Sequence, residues 1–139
     1  MDELIRILKE EMLTCIVSQN HQLYREYANG ILPILHMLDQ GHLQDAQLAD
    51  KVIGKAAALL MVRGGVHQVH ACVISSHACK VFEQHGIKVT YDELVPYIIN
   101  RTKNGMCPME ACVMKVDDPA AAERLLREKV ESMRTKQHT

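Results

Sequence analysis

The sequence predicts a single α/β domain over residues 1–139, built as three α-β-α layers around a mixed sheet. Three observations carry this reading. The length of 139 residues fits one core and leaves little room for two. Hydrophobic residues make up 47% against 24% charged, which excludes a disordered chain and lets a domain of this size bury roughly 70% of its unfolded surface. Helical and extended periodicities alternate between residues 50 and 91, which implies parallel central strands joined by a crossover helix.

The elements follow in order. Residues 2–11 carry Leu4, Ile5, Ile7 and Leu8 among charges at nearly helical spacing, a short helix. Residues 13–17 are apolar and β-branched, residues 23–27 alternate, and Ser18-Gln19-Asn20-His21 between them is turn chemistry, so this region reads as an antiparallel hairpin. Residues 31–38 form a mostly buried helix, with Pro33 in its first turn and Gly41 as its stop. From Asp50, the residues Val52, Ile53, Ala56, Ala57, Leu59 and Leu60 repeat at i, i+3 and i+4, and Gly64-Gly65 closes this longer helix. The apolar run 66–74 is a strand covered on both faces. Ser75 or Ser76 caps a helix over 77–84, and residues 87–91 make the last strand. Residues 94–99 are apolar around Pro96, 100–105 are loop-like, and Cys107-Pro108 opens a short helix. Asp118-Pro119 begins a terminal helix supported by the Glu123 and Arg127 pair and frayed beyond about residue 134.

Direction then places a site. A helix from Asp50, a reversal at Gly64-Gly65 and a returning strand bring the end of that strand back to where the helix began, and the next helix starts there too. Two helix N-termini converge at the carboxyl edge of a central strand, a place of unpaired N–H groups where open α/β sheets bind ligands. The residues delivered there are Asp50 and Lys51 from one helix, and Ser75, Ser76, His77 and Cys79 from the other. Asp50 and Ser76 are also ordinary helix caps, and Cys79 also serves as a small core residue.

The stretch Ala49-Asp50-Lys51-Val52-Ile53-Gly54-Lys55-Ala56, the turn Ser75-Ser76-His77-Ala78-Cys79, and Asn100-Arg101 followed by Cys107-Pro108-Met109-Glu110 resemble an uncharacterised bacterial and archaeal family of the cytidine-deaminase-like superfamily. The similarity runs from the hairpin to Met114. It implies the deaminase-like fold and no established reaction. Zinc deaminases carry H-x-E at the first helix start and P-C-x-x-C at the second. Neither motif is present: none of the eight His has Glu two positions on, no Pro precedes a Cys, and no two Cys are three apart. By position, Asp50 and Lys51 stand in the region of the zinc His and the shuttle Glu, Ser75 replaces the Pro, Ser76 the first Cys, and Cys79 the second. One ligand position in three cannot hold catalytic zinc in the deaminase manner, so no cofactor is expected.

Other constellations bear on function. His70-Ala71-Cys72 and His77-Ala78-Cys79 repeat one triplet, and a Cys2His2 metal site among them would have a spacing of no familiar kind. Cys107 at a helix start would be a reactive thiolate, and Arg101 would neutralise a phosphate from the loop side. Glu110 on the first turn of that helix is either functional or simply stabilising. Leu125, Leu126, Val130 and Met133 share one side of the terminal helix, which packs on the domain or forms a homodimer. Sixteen basic against seventeen acidic residues, with no basic run and few aromatics, disfavour nucleic acid. No membrane span is present, and five Cys behind Met1-Asp2-Glu3, where a signal peptide would be cationic and apolar, point to the cytoplasm.

The expectation is therefore a ligand-binding protein for a small anionic or nucleotide-like molecule. Asp50, Lys51, Ser75, Ser76, Arg101 and Glu110 would line the site. Catalysis, if any, would use Cys79 or Cys107 as nucleophile, His77 as base and Lys51 as charge stabiliser. The competing readings are a metal-dependent hydrolase using Cys and His in a non-deaminase arrangement, and a non-enzymatic dimeric interaction protein.

Overall fold

A computed structural model describes residues 1–98 and 108–138. The elements are α1 (Asp2–Glu10), β1 (Cys15–Gln19), β2 (Gln22–Glu26), α2 (Leu32–Gln40), β3 (Gln47–Ile53), α3 (Lys55–Gly64), β4 (Gln68–Ser75), α4 (Ser76–Gln84), β5 (Lys88–Val95), α5 (Pro108–Val113) and α6 (Pro119–His138). The five strands form one mixed sheet in the order β2-β1-β3-β4-β5. β1 runs antiparallel to β2 and β3, while β3, β4 and β5 are mutually parallel.

The hairpin turns at Asn20 and His21, both with positive φ (49° and 66°), the backbone that a two-residue turn between twisted strands requires. On one face of the sheet α1 buries Leu4, Ile7 and Leu8 against Leu13, Ile16 and Ala49. The other face carries the larger core: Val17, Leu48, Val69 and Ala71 from the strands meet Ile34 of α2, Leu59 and Leu60 of α3, Phe82 of α4 and Leu126 of α6. Both parallel connections step the same way along the sheet, β3 to β4 to β5. Their crossover helices consequently share a face, and α3 packs against α4.

One expectation fails. Residues 50–54 are not helical: Asp50, Lys51, Val52 and Ile53 end strand β3, and α3 begins five residues later at Lys55. β3 is a central strand, so its apolar residues do not alternate cleanly with polar ones. They run on into the helical set, and Val52 and Ile53 fall by accident on the i+3 and i+4 grid of Ala56 and Ala57. Asp50 is therefore no helix cap. Smaller shifts follow the same physics. β5 continues to Val95, ending just before Pro96, which lacks the N–H that a strand needs. α6 runs from Pro119 to His138. Its Ala122 and Leu126 are buried in the domain core, and Leu125 and Val130 are half-buried.

Candidate functional site

The two converging helix starts do share an edge. Ile53 of β3 pairs with Ile74 of β4, so the carboxyl ends of the two strands lie side by side. Gly54 caps α3 and Ser75 caps α4 immediately beyond them. What fills each start differs.

At α4 the cap is local. Ser75, fully buried, accepts a hydrogen bond on its Oγ from the N–H of Ala78 at 3.1 Å, three residues on. Ser76 Oγ donates to the Pro96 carbonyl at 3.1 Å, tying the helix start to the chain beyond β5.

At α3 the cap comes from the far end of the chain. The Glu110 carboxylate, only 2% exposed, accepts from Lys55 N–H at 2.8 Å through Oε1 and from Ala56 N–H at 2.7 Å through Oε2. A full negative charge thus spans two orphan donors at the positive end of the helix, the geometry in which charge-assisted hydrogen bonds are strongest. The approach requires Gly54: a Cβ there would lie 2.5 Å from the Glu110 carboxyl carbon. Lys55, 5% exposed, returns the tie by donating from Nζ to the Met114 carbonyl at 2.7 Å, just past the end of α5, with Asp117 Oδ1 at 3.4 Å. α3 and α5 are fastened reciprocally, each supplying the charge that suits the other's end.

Beside this fastening lies a cavity of about 600 Å³. Its walls are mostly apolar, with Ile34 of α2, Ala57 of α3, Met109 of α5 and Met133 of α6 among them. Asp50 supplies the acidic group on the strand side. It is 8% exposed, paired in the sheet with Cys15, and its Oδ1 accepts from Val52 N–H at 3.2 Å. Burial pushes the Asp50 carboxyl up to about 7, against the weaker opposing pull of the Val52 and Lys51 N–H groups and the Cys15 thiol. Among the described residues no Lys, Arg or His forms an ion pair with it. Thr14, also in the wall, spends its hydroxyl on the Glu26 and Ala28 carbonyls.

Of the residues expected at the site, Asp50, Lys51 and Glu110 line this cavity, whereas Ser75, Ser76, His77 and Cys79 do not. The reason is lateral: the cavity opens on the β1 and β3 side of α3, and α4 lies over β4 and β5. Lys51 is exposed, on the strand rather than on a helix turn. Arg101 and Cys107 lie outside the described residues. Cys79 packs at the edge of the core, its thiol pushed up by burial and by Glu83, the opposite of what an activated nucleophile needs. Cys15, which no sequence signal marked, does face the cavity, but burial and the neighbouring Asp50 raise its thiol still further. Gly54 and Lys55 were also missed, although glycine ahead of a run of helix formers is a readable boundary.

The two His-x-Cys triplets do not assemble. Cys72 packs in the cluster under α1 and Cys79 against the opposite core. His70 instead meets Thr90, with Nδ1 2.7 Å from Oγ1, and its Nε2 lies 3.4 Å from Asp92. Among the described residues no group of three or more His, Cys, Asp and Glu side chains is arranged to hold a metal, and no helix is long and apolar enough to cross a membrane.

A comparison with curated proteins finds no match. The family described as TM1506, a domain of unknown function (DUF1893), matches residues 3–130. Among solved structures, the crystal structure of a DUF1893 family protein (TM1506) from Thermotoga maritima is similar to this chain with a TM-score of 0.86 and 26% identity, covering 92% of this chain and 88% of that one. Matched over nearly its whole length, the chain belongs to the DUF1893 family.

Proposed function

We propose that this protein is a small-molecule-binding domain whose site is the cavity between the end of β3, the start of α3 and α5. One observation carries the reading: a nearly buried carboxyl, Asp50, stands in a mostly apolar cavity with no cationic partner among the described residues. Leaving such a group in place costs stability, and a fold selected only for stability has cheaper solutions. Few polar groups in a mostly apolar concavity is the general pattern of ligand sites.

The nucleotide-like or anionic ligand suggested by the sequence divides at this point. A base-sized heterocycle suits apolar walls and an accepting carboxyl. A phosphate does not find the expected seat, because Glu110 already takes the α3 donors and would have to be displaced. The two helices starting at the ends of neighbouring parallel strands support the cytidine-deaminase-like resemblance. The four described cysteines are free thiols, in keeping with a cytoplasmic setting. We favour binding over catalysis because the described thiols with a clear shift are all raised.

A thermal-shift screen of free bases, nucleosides, nucleotides and sugar phosphates tests this. Bases and nucleosides are expected to raise Tm, their phosphorylated forms adding nothing, with the shift lost in Asp50→Asn. Silence across the panel, or shifts that survive Asp50→Asn and grow with each phosphate, contradicts it.

A further inference from the structure

The charges around the cavity narrow its ligand further. Among the described residues two of its lining side chains are carboxylic, Asp50 and Glu110, and the lining Lys51 is exposed to water. Glu110 accepts from two backbone N–H groups at 2.8 and 2.7 Å; Asp50 accepts from Val52 N–H at 3.2 Å, long for a bond to a carboxylate, with the Lys51 N–H and the Cys15 thiol also directed at it. The Lys55 and Ala56 N–H groups that would attract an anion are thus already engaged, while the carboxyl that would attract a cation has only neutral partners among the described residues.

We propose that the cavity takes an organic cation of the amidinium or protonated-amine class, its N–H groups donating to the Asp50 carboxylate and its apolar body lying against Ile34, Ala57 and Met109. This rests on the small-molecule reading above and gives it a charge. The ligand cation supplies an opposite charge that no described residue gives Asp50, and the excluded water strengthens that pairing. Binding is then linked to pH. Among the described residues the titratable groups around Asp50 are Cys15 of β1, with Glu26 of β2 beside it, Lys51 next to it on β3, Cys72 of β4 across the sheet, and Glu110 of α5 in the same cavity wall. The thiols are raised and remain neutral through the neutral range, so Asp50 is the group expected to titrate there. A cation that binds its ionised form pulls the proton off.

Calorimetric titration of the full chain with benzamidinium, its neutral analogue benzamide and its anionic analogue benzoate tests the proposal. Benzamidinium, protonated throughout, is expected to bind about tenfold tighter than benzamide at pH 8, with benzoate weakest. Its affinity should fall about tenfold between pH 8 and pH 5.5. At pH 7 about half a proton should pass to the buffer on binding, seen as a heat that varies with the buffer's ionisation enthalpy. Asp50→Asn should erase the preference and the proton release together; if that variant does not fold, the wild-type pH profile decides alone. Equal affinity for benzamidinium and benzamide overturns the cation proposal and leaves the pocket standing. Tightest binding of benzoate overturns it in favour of the helix start. No binding of all three, with no response in the thermal-shift panel, overturns the pocket as well.

Discussion

The starts of α3 and α4 lie one strand apart on the same edge of the same sheet, yet they are completed in different ways. α4 is capped by Ser75 from its own N-terminal neighbour, a contact spanning three residues. α3 is capped by Glu110, fifty-five residues beyond Lys55, and the cap exists only if α5 is docked. The lesson is that a helix N-terminus is not by itself an anion site. Its availability depends on whether the rest of the chain brings a carboxylate to it, and at α3 the chain does.

The contrast can be broken from either side. The largest effect is expected from Gly54→Ala. Its Cβ would displace the Glu110 carboxyl and leave two buried donors unpaired, costing about 3 kcal/mol in denaturant unfolding. In a Glu110→Ala background the same change should cost markedly less, since the colliding group is gone; simple additivity of the two would show that Gly54 and Glu110 are not coupled. Next comes Asp50→Asn. Its raised carboxyl holds a proton in the folded state that the unfolded chain releases near pH 4, so native stability falls as pH rises from about 4 to about 7. The Asn variant removes that slope, and relative to wild type it should gain about 2 kcal/mol between pH 5 and pH 7.5, measured as the pH dependence of Tm or of the denaturant midpoint. Glu110→Gln keeps the shape but loses the charge and one acceptor, for a loss of about 1–2 kcal/mol. Ser75→Ala should lose about 1 kcal/mol, the ordinary value of a local cap.

The same contrast explains which parts of the molecule were legible in the sequence. Ser75 and Ser76 mark the α4 start because a cap and its helix are contiguous. The hairpin was readable from Asn20-His21, and the α2 stop from Gly41, for the same reason. β3 was not: a central strand has no clean alternation, and Val52 to Met61 is a mostly apolar stretch broken only by Gly54 and Lys55. The common edge of the two helix starts survived that error because it depends on strand direction, which a five-residue displacement of the helix boundary leaves intact. The cavity did not survive as expected. Its lateral position, its Cys15 wall and the Glu110 plug are set by how β1 and α5 dock against β3 and α3, which are long-range contacts that no local pattern encodes.

The occupancy of the α3 start can be read directly by following the backbone amide resonances of Lys55 and Ala56 while inorganic phosphate is titrated into the wild-type protein and into Glu110→Ala. The account predicts that these two amides stay fixed in the wild type and shift only once the carboxylate has been removed. A saturable phosphate shift at both amides with Glu110 still in place would contradict it.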